Sequence, residues 1–118
     1  MDGQIVSTED IVGVEVRNLE GEKLGKVETL MIDKLHGKVA YVVLSFGGFL
    51  GMGDKLFAMP WSMFSYDRKK ECFTIAIDKE TLKKSPGFDK DSWPDMSSPT
   101  WSSAIHNYYG TILNRDHH

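Results

Sequence analysis

The stretch VAYVVLSF, residues 39–46, is the part of the sequence that determines the fold. Successive side chains of a β-strand point to opposite faces, so a strand with one wet face alternates apolar and polar residues. Here Tyr41 and Val43 share one face, Val42 and Leu44 share the other, and both faces are apolar. Each face therefore needs a cover. We expect the interior of a small barrel to cover one, and the C-terminal segment or a second subunit to cover the other.

Further short stretches of strand-like sequence lie on both sides, at residues 12–16, 24–33, 56–60, 62–66 and 72–77. Within residues 24–33 the apolar parity changes between Val27 and Leu30, which predicts a β-bulge near Glu28-Thr29. Residues 56–60 and 62–66 form either two strands or one strand kinked at Pro60, which has no amide donor. Five or six short strands at this spacing predict a mainly β fold, a small antiparallel six-stranded β-barrel.

The segment after the barrel carries helix start and stop signals. Asp78 is predicted to cap a short helix over residues 79–84. Ser98-Pro99 then supplies a cap and a first helical residue, and Gly110 supplies a C-terminal stop, which predicts a helix near residues 99–109. We therefore expect a barrel with a C-terminal helical extension.

The extension is too apolar to be a flexible linker, because it contains two tryptophans, a phenylalanine and two tyrosines. Trp101, Ile105 and Tyr108 form one stripe along the second helix. We expect the extension to dock on its own barrel or on a neighbour's. The predicted organisation is a flexible N-terminus at residues 1–8, a barrel domain at residues 9–80 and the extension at residues 81–118.

The composition is that of a soluble domain. The chain has 118 residues, of which 41% are hydrophobic and 26% charged, and the formal net charge is -3. No apolar run reaches the roughly 20 residues of a membrane span, and the N-terminus lacks a signal-peptide pattern, so a cytoplasmic location is expected. The single cysteine, Cys72, suits a reducing compartment. Nucleic-acid binders concentrate positive charge, whereas here only Arg68-Lys69-Lys70 forms a basic run, in a predicted hairpin turn.

Three stretches of the sequence are distinctive in combination: VGVEVRNLEGEKLGKVETLMIDKLHGKVAYVVLSF, GGFLGMGDKLFAMPW and DRKKECFTIAID. Over roughly residues 9–80 they resemble the PRC-barrel family, in a stand-alone form found in bacteria. Specific features are the Gly-x-x-Leu-Gly step from Gly21 to Gly25, the turn from Ile32 to Gly37 and the break at Pro60-Trp61. The resemblance implies a six-stranded barrel that serves as an assembly module. Such barrels occur in the photosynthetic reaction-centre H subunit and in a ribosome-maturation factor, but this sequence has neither the membrane anchor of the first nor the other domain of the second.

No catalytic or cofactor motif is found. The glycine-rich stretch from Gly47 to Gly53 lacks the Gly-Lys-Ser/Thr of a phosphate loop, so it is expected to let two strands reverse. Asp89, Asp91 and Asp95 would need a glycine at position 94 to resemble an EF-hand, and Pro94 stands there. The histidines show no metal-ligand spacing, and the terminal pair His117-His118, which resembles a tag remnant, is set aside. We therefore predict no catalytic, cofactor or metal residues.

The function predicted from the sequence is a non-catalytic protein-interaction or assembly module, expected to be a homodimer with a further, unidentified protein partner. Phe49 and Leu50, framed by glycines, are either tucked over a barrel end or offered to a partner. The candidate partner or dimer contacts are Phe49, Leu50, Tyr41, Val43, Trp93, Trp101 and Tyr108. Two alternatives are an RNA-processing or ribosome-assembly factor, by family analogy, and a small-ligand barrel with an aromatic pocket near Trp61 and Trp93.

Overall fold

The computed structural model describes residues 3–49 and 53–115. The strands are β1 (Glu15–Arg17), β2 (Lys23–Asp33), β3 (Lys38–Phe49), β4 (Gly53–Pro60), β5 (Ser65–Asp67) and β6 (Cys72–Thr74). The helices are α1 (Thr8–Ile11), α2 (Lys79–Lys84) and α3 (Pro99–Arg115), and a single 3-10 turn, Trp61–Met63, joins β4 to β5. Residues 56–60 and 62–66 therefore belong to two strands rather than to one kinked strand.

The six strands form one sheet in the order β4-β3-β2-β1-β6-β5. The prediction of an all-antiparallel barrel is wrong in one pair, because β1 and β6 are parallel, with Val16 opposite Phe73. In the described part of the chain no ladder joins β4 to β5, so the strand pairs form a mixed sheet that is not closed by backbone hydrogen bonds. Apolar parity shows which residues share a face but not which way a strand runs, so the sequence pattern does not distinguish a parallel pair from an antiparallel one.

Strand β3 is covered on both faces, as its sequence predicts. Tyr41 is 5% exposed and Val43 is fully buried, and on the other face Val42 and Leu44 are buried too. Leu44 lies opposite Val27 of β2, in the apolar core that both neighbouring strands line. The register of β2 against β3 shifts between Val27 and Thr29, which confirms the predicted bulge.

The extension folds back on the sheet of its own chain. Helix α2 has the predicted bounds and cap, since the Asp78 carboxylate accepts a hydrogen bond from the Thr81 amide at 2.7 Å. Helix α3 starts at Pro99 as predicted, but it continues through Gly110 to Arg115, so the predicted stop is wrong. Ile112 and Leu113 remain half-buried beyond that glycine and continue the apolar side of the helix.

The N-terminal segment contains a helix that the sequence analysis did not predict. Helix α1 has a capping box, in which the Ser7 side chain accepts a hydrogen bond from a backbone amide and the Asp10 side chain accepts one from the Ser7 amide. Ile11 is buried and anchors this turn on the core. Within the described ranges, none of the helices has the length and apolarity required to cross a bilayer.

Candidate aromatic cleft

An open cleft of about 730 Å³ lies between the N-terminal segment and one end of the sheet. Residues 3–8 form one wall, and the opposite rim carries Arg68 and Glu71. The remaining lining residues are apolar or aromatic and come from six elements: Ile11, Leu30, Val39, Trp61, Tyr66 and Phe73. Because the lining residues come from so many elements, they lie together only in the folded chain. We call this feature the aromatic cleft.

The floor of the aromatic cleft is organised around Phe73. The rings of Trp61, Phe64 and Tyr66 meet it edge to face, with centroid distances of 6.0, 6.1 and 5.2 Å. Such pairs fix ring orientations beyond what area burial does. Trp61 nevertheless keeps 39% of its surface exposed. The floor is therefore a rigid apolar surface with one large aromatic group open to solvent.

The wall formed by residues 3–8 is fixed at its C-terminal end. The capping box of Ser7 and the buried Ile11 fix the chain from residue 7 onward. Val6 packs partly against the core, whereas Ile5, also in the wall, is 97% exposed. The cleft consequently contains apolar surface on both sides that the chain itself does not bury.

The rim is a basic turn between β5 and β6. The Asp67 carboxylate accepts hydrogen bonds from the amides of Lys69 and Lys70, at 3.0 and 3.1 Å, and Glu71 closes the turn with a φ of 52°. The side chains of Arg68, Lys69 and Lys70 are exposed, and none of them forms an ion pair with a described residue. The turn is solvated, as predicted, and it places Arg68 at the aromatic cleft, with Lys69 and Lys70 next in the turn.

The whole of this cleft apart from Gly3 falls inside a recognisable family region. A family model described as the PRC-barrel domain matches residues 4–82, more than half of the chain. The chain belongs to the PRC-barrel family. Comparison with curated proteins gives no match. Membership indicates, in general terms, a non-catalytic module, and it leaves α3 and the loop before it outside the family region.

The sequence features that carried the resemblance have physical roles in the PRC-barrel sheet. Gly21 has a φ of 85°, which only glycine adopts easily, in the turn between β1 and β2. A Cβ on Gly25 would overlap the carbonyl oxygen of Ser45 in β3. Pro60 ends β4, and Trp61 then turns into the aromatic cleft. These residues set the close approach of strands and one wall of the cleft.

Two of the candidate contacts predicted from the sequence, Tyr41 and Val43, lie beneath the extension of the PRC-barrel chain. The Tyr41 hydroxyl is 2.8 Å from the Ser102 hydroxyl and 3.2 Å from Nε2 of His106, and its ring meets Trp101 edge to face at 5.1 Å. In this arrangement Tyr41 and Val43 are not accessible to a partner. Their role as partner contacts stays a prediction, and it would require the extension to leave the sheet.

The remaining candidates occupy different positions. Trp101 and Tyr108 are half-buried on α3, and the Tyr108 hydroxyl is 3.1 Å from that of Ser85. Trp93 lies in the loop before α3 and is 42% exposed. The side chain of Phe49 and the whole of Leu50 lie outside the described residues, although the backbone of Phe49 pairs with Gly53 where the two strands reverse.

The aromatic pocket near Trp61 and Trp93, which was an alternative from the sequence, is not found among the described residues. Trp61 lines the aromatic cleft, and Trp93 does not. Trp93 packs instead on Phe88, whose backbone pairs with Leu56 in the middle of β4. No local signal marks the cleft in the sequence, because its lining residues come from six separate elements. The one available hint was the placement of a tryptophan directly after a strand-ending proline.

The aromatic cleft combines a mainly apolar lining with charged side chains at its rim. Its polar side chains at the rim, Arg68 and Glu71, are both exposed. Elsewhere, Cys72 is buried in β6. A search of residues 3–49 and 53–115 finds no group of three or more metal-ligating side chains. Aromatic surface with adjacent arginine is the combination that protein interfaces favour.

Proposed function

We propose that this chain is a non-catalytic assembly module that binds another protein chain through the aromatic cleft. In this proposal the chain forms a homodimer in the cytoplasm, and it also binds a further, unidentified protein partner. The observation that carries the proposal is the half-exposed Trp61 on the floor of an apolar cleft of about 730 Å³. Exposed tryptophans in well-formed apolar surfaces are typical centres of binding energy. The basic rim adds a charged border to that surface.

The support for a dimer comes from the aromatic cleft and not from strand β3. Helix α3 of the same chain covers the second face of β3, so this strand no longer requires a second subunit. Among the described residues, the aromatic cleft is an apolar surface that stays uncovered. A partner that buries Trp61 and the wall at Ile5 would remove from water the apolar surface that folding leaves exposed there.

A small apolar ligand is a second candidate occupant, since the cleft volume falls within the range of about 300–1,000 Å³ typical of ligand sites. The openness of the cleft favours a protein partner, because ligand sites bury most of the ligand surface. RNA is disfavoured by the net charge of -3. We also propose that the chain catalyses no reaction, in keeping with the apolar lining.

The test is the molar mass in solution, measured by light scattering over a concentration series. We expect wild type to change from the 13.3 kDa chain to a dimer as concentration rises. Trp61→Ala is expected to raise the dissociation constant by about 30-fold, the size of a strong hot spot. Leu19→Ala, at an exposed residue that does not line the cleft, is the matched control. A wild type that stays at 13.3 kDa, or a Trp61→Ala variant that associates normally, contradicts the proposal.

A further inference from the structure

We propose that the occupant of the aromatic cleft is the loop of residues 89–95 of a second copy of this chain, with Trp93 on the aromatic floor and the acidic residues of the loop beside the basic rim. The inference rests on the proposed function and names the surface that the partner copy supplies. The loop lies outside the family region at residues 4–82, so it belongs to this chain's own extension.

Trp93 is presented in a fixed position. Its ring lies on that of Phe88 at a centroid distance of 5.0 Å, and 42% of its surface is exposed. Phe88 is itself tied to β4, because its amide and carbonyl form hydrogen bonds with Leu56 of 2.8 and 2.9 Å. A rigid, half-exposed aromatic group loses little conformational entropy when a partner buries it.

The charges of the two surfaces are complementary. The loop carries Asp89, Asp91 and Asp95 against one cation, Lys90. Asp95 accepts a hydrogen bond from the Ser97 amide, whereas neither Asp89 nor Asp91 forms an ion pair in the described structure. Arg68 lines the cleft, and Lys69 and Lys70 follow it in the same turn, all three without an ion pair to a described residue. Glu71 is the one acidic residue among the described residues that line the cleft. Opposite unpaired charges at the edge of an interface steer association and fix its register.

In the described structure the loop does not fill the cleft of its own chain, because Trp93 packs on Phe88, and Phe88 is held beside Leu56 of β4. The occupant that we propose is therefore the loop of a second copy. The contact joins two different surfaces, so a two-fold dimer uses it twice, and an arrangement that does not close would instead extend into longer assemblies.

The experiment exchanges charges between the two surfaces of the full-length chain. One variant carries Arg68→Glu with Lys70→Glu, and the other carries Asp89→Lys with Asp91→Lys. Each alone brings like charges together, and we expect the dissociation constant to rise about tenfold or more at low salt. The equimolar mixture restores opposite charges at both contacts, so its association is expected to return to within about threefold of wild type. Circular dichroism confirms that each variant is folded.

Two further variants sharpen the result. Trp93→Ala is expected to weaken association about tenfold or more, as the loss of a buried aromatic anchor does. Lys26→Glu with Lys34→Glu reverses two exposed charges at residues that do not line the cleft and form no ion pair with a described residue, and it serves as the matched control. This control is expected to associate as wild type does.

The outcomes separate this inference from the proposed function. If Trp61→Ala weakens association and the charge variants do not, or if the mixture fails to recover, the loop is not the occupant while the cleft remains the interface. A wild type that stays monomeric overturns the inference as well as the dimer. Binding of a single-stranded oligoribonucleotide to monomeric wild type, lost in the Arg68→Glu, Lys70→Glu variant, would assign the cleft to nucleic acid and overturn it too.

Discussion

Tyr108 and Tyr109 are adjacent residues on α3 with opposite hydrogen-bonding situations. The Tyr108 hydroxyl is 3.1 Å from that of Ser85, whereas the Tyr109 side chain is 1% exposed and its hydroxyl, which also faces Ser85, forms no hydrogen bond of good geometry with a described residue. A buried polar group without a partner costs free energy. We expect Tyr109→Phe to raise the free energy of unfolding by about 1 kcal/mol and Tyr108→Phe to lower it by about 1 kcal/mol, measured by urea denaturation.

The pH dependence of the free energy of unfolding, in the alkaline range, provides a second test of Tyr109. Burial raises the pKa of Tyr109 above its ordinary value, because the ionised form is poorly solvated inside the protein. The stability that follows from this shift is present below the unfolded-state pKa of about 10 and is lost as the pH rises above it. Tyr109→Phe should therefore lose less stability than wild type between about pH 8 and 11. An equal loss would mean that the pKa of Tyr109 is not raised in the folded protein. A destabilised Tyr109→Phe would mean that the hydroxyl is satisfied.

Replacing Gly25 or Gly110 with alanine adds the same methyl group, and we expect the two substitutions to have opposite effects on stability. A Cβ on Gly25 would overlap the carbonyl oxygen of Ser45, a backbone atom of the neighbouring strand. At Gly110, inside α3, a Cβ meets no described atom within 4 Å. Thermal denaturation should show Gly25→Ala destabilised by about 1–3 kcal/mol or more, and Gly110→Ala stabilised by about 0.5–1 kcal/mol. If Gly25→Ala keeps wild-type stability, the two strands are free to separate at this point.

At the scale of elements, the predictions that the structure confirms rest on signals within short stretches of sequence. The bulge between Val27 and Thr29 follows from a change of parity within one strand, and α2 follows from its Asp78 cap. Gly110 failed as a stop because a glycine ends a helix only if the chain leaves the helix there, and the half-buried residues beyond it keep the helix going. Helix α1 was missed because a single turn has too little periodicity to be distinguished from a loop.

The docking of α3 predicts a large effect from a single substitution. Ile105 is buried in the core cluster, and α3 covers the face of β3 that carries Tyr41. We expect Ile105→Ala to lower the free energy of unfolding by about 2–5 kcal/mol, because the cavity cannot fully close. Ser103→Ala, at an exposed residue of the same helix, should change it by less than about 0.5 kcal/mol.

Truncation after Lys84 tests the same element as a whole. It removes α3 and the Phe88 bridge to Leu56, so it uncovers the apolar face of β3 and the edge of β4. The truncated chain is expected to lose solubility or to change its oligomeric state. A truncated protein that remains soluble and as stable as wild type would show that the extension is not needed to cover the sheet.

At the scale of the molecule, the sequence indicates which residues are buried. It does not indicate where the apolar residues that stay exposed lie together in the fold. Parity predicts that Tyr41 and Val42 need covers, and it does not show that the parallel pair of β1 and β6 completes the sheet. The aromatic cleft depends on that completed topology, since Phe73 of β6 meets Trp61 only after the sheet has formed. Surfaces assembled from distant elements are therefore the part of the site that sequence reasoning could not locate.

Self-association through the aromatic cleft should depend on salt, because unpaired charges border an apolar contact. The Debye length falls from about 10 Å at 0.1 M salt to about 3 Å at 1 M, so added salt screens the attraction between the rim at residues 68–70 and the loop at residues 89–95. We expect the dissociation constant of wild type to rise about tenfold between about 0.05 and 0.5 M NaCl, measured by sedimentation equilibrium. The equimolar mixture of the two charge variants should show the same dependence. The like-charged variants alone should show the reverse, since screening relieves their repulsion. A dissociation constant that falls with salt in wild type would mean that the contact is apolar throughout and that the charges at the rim play no part in it.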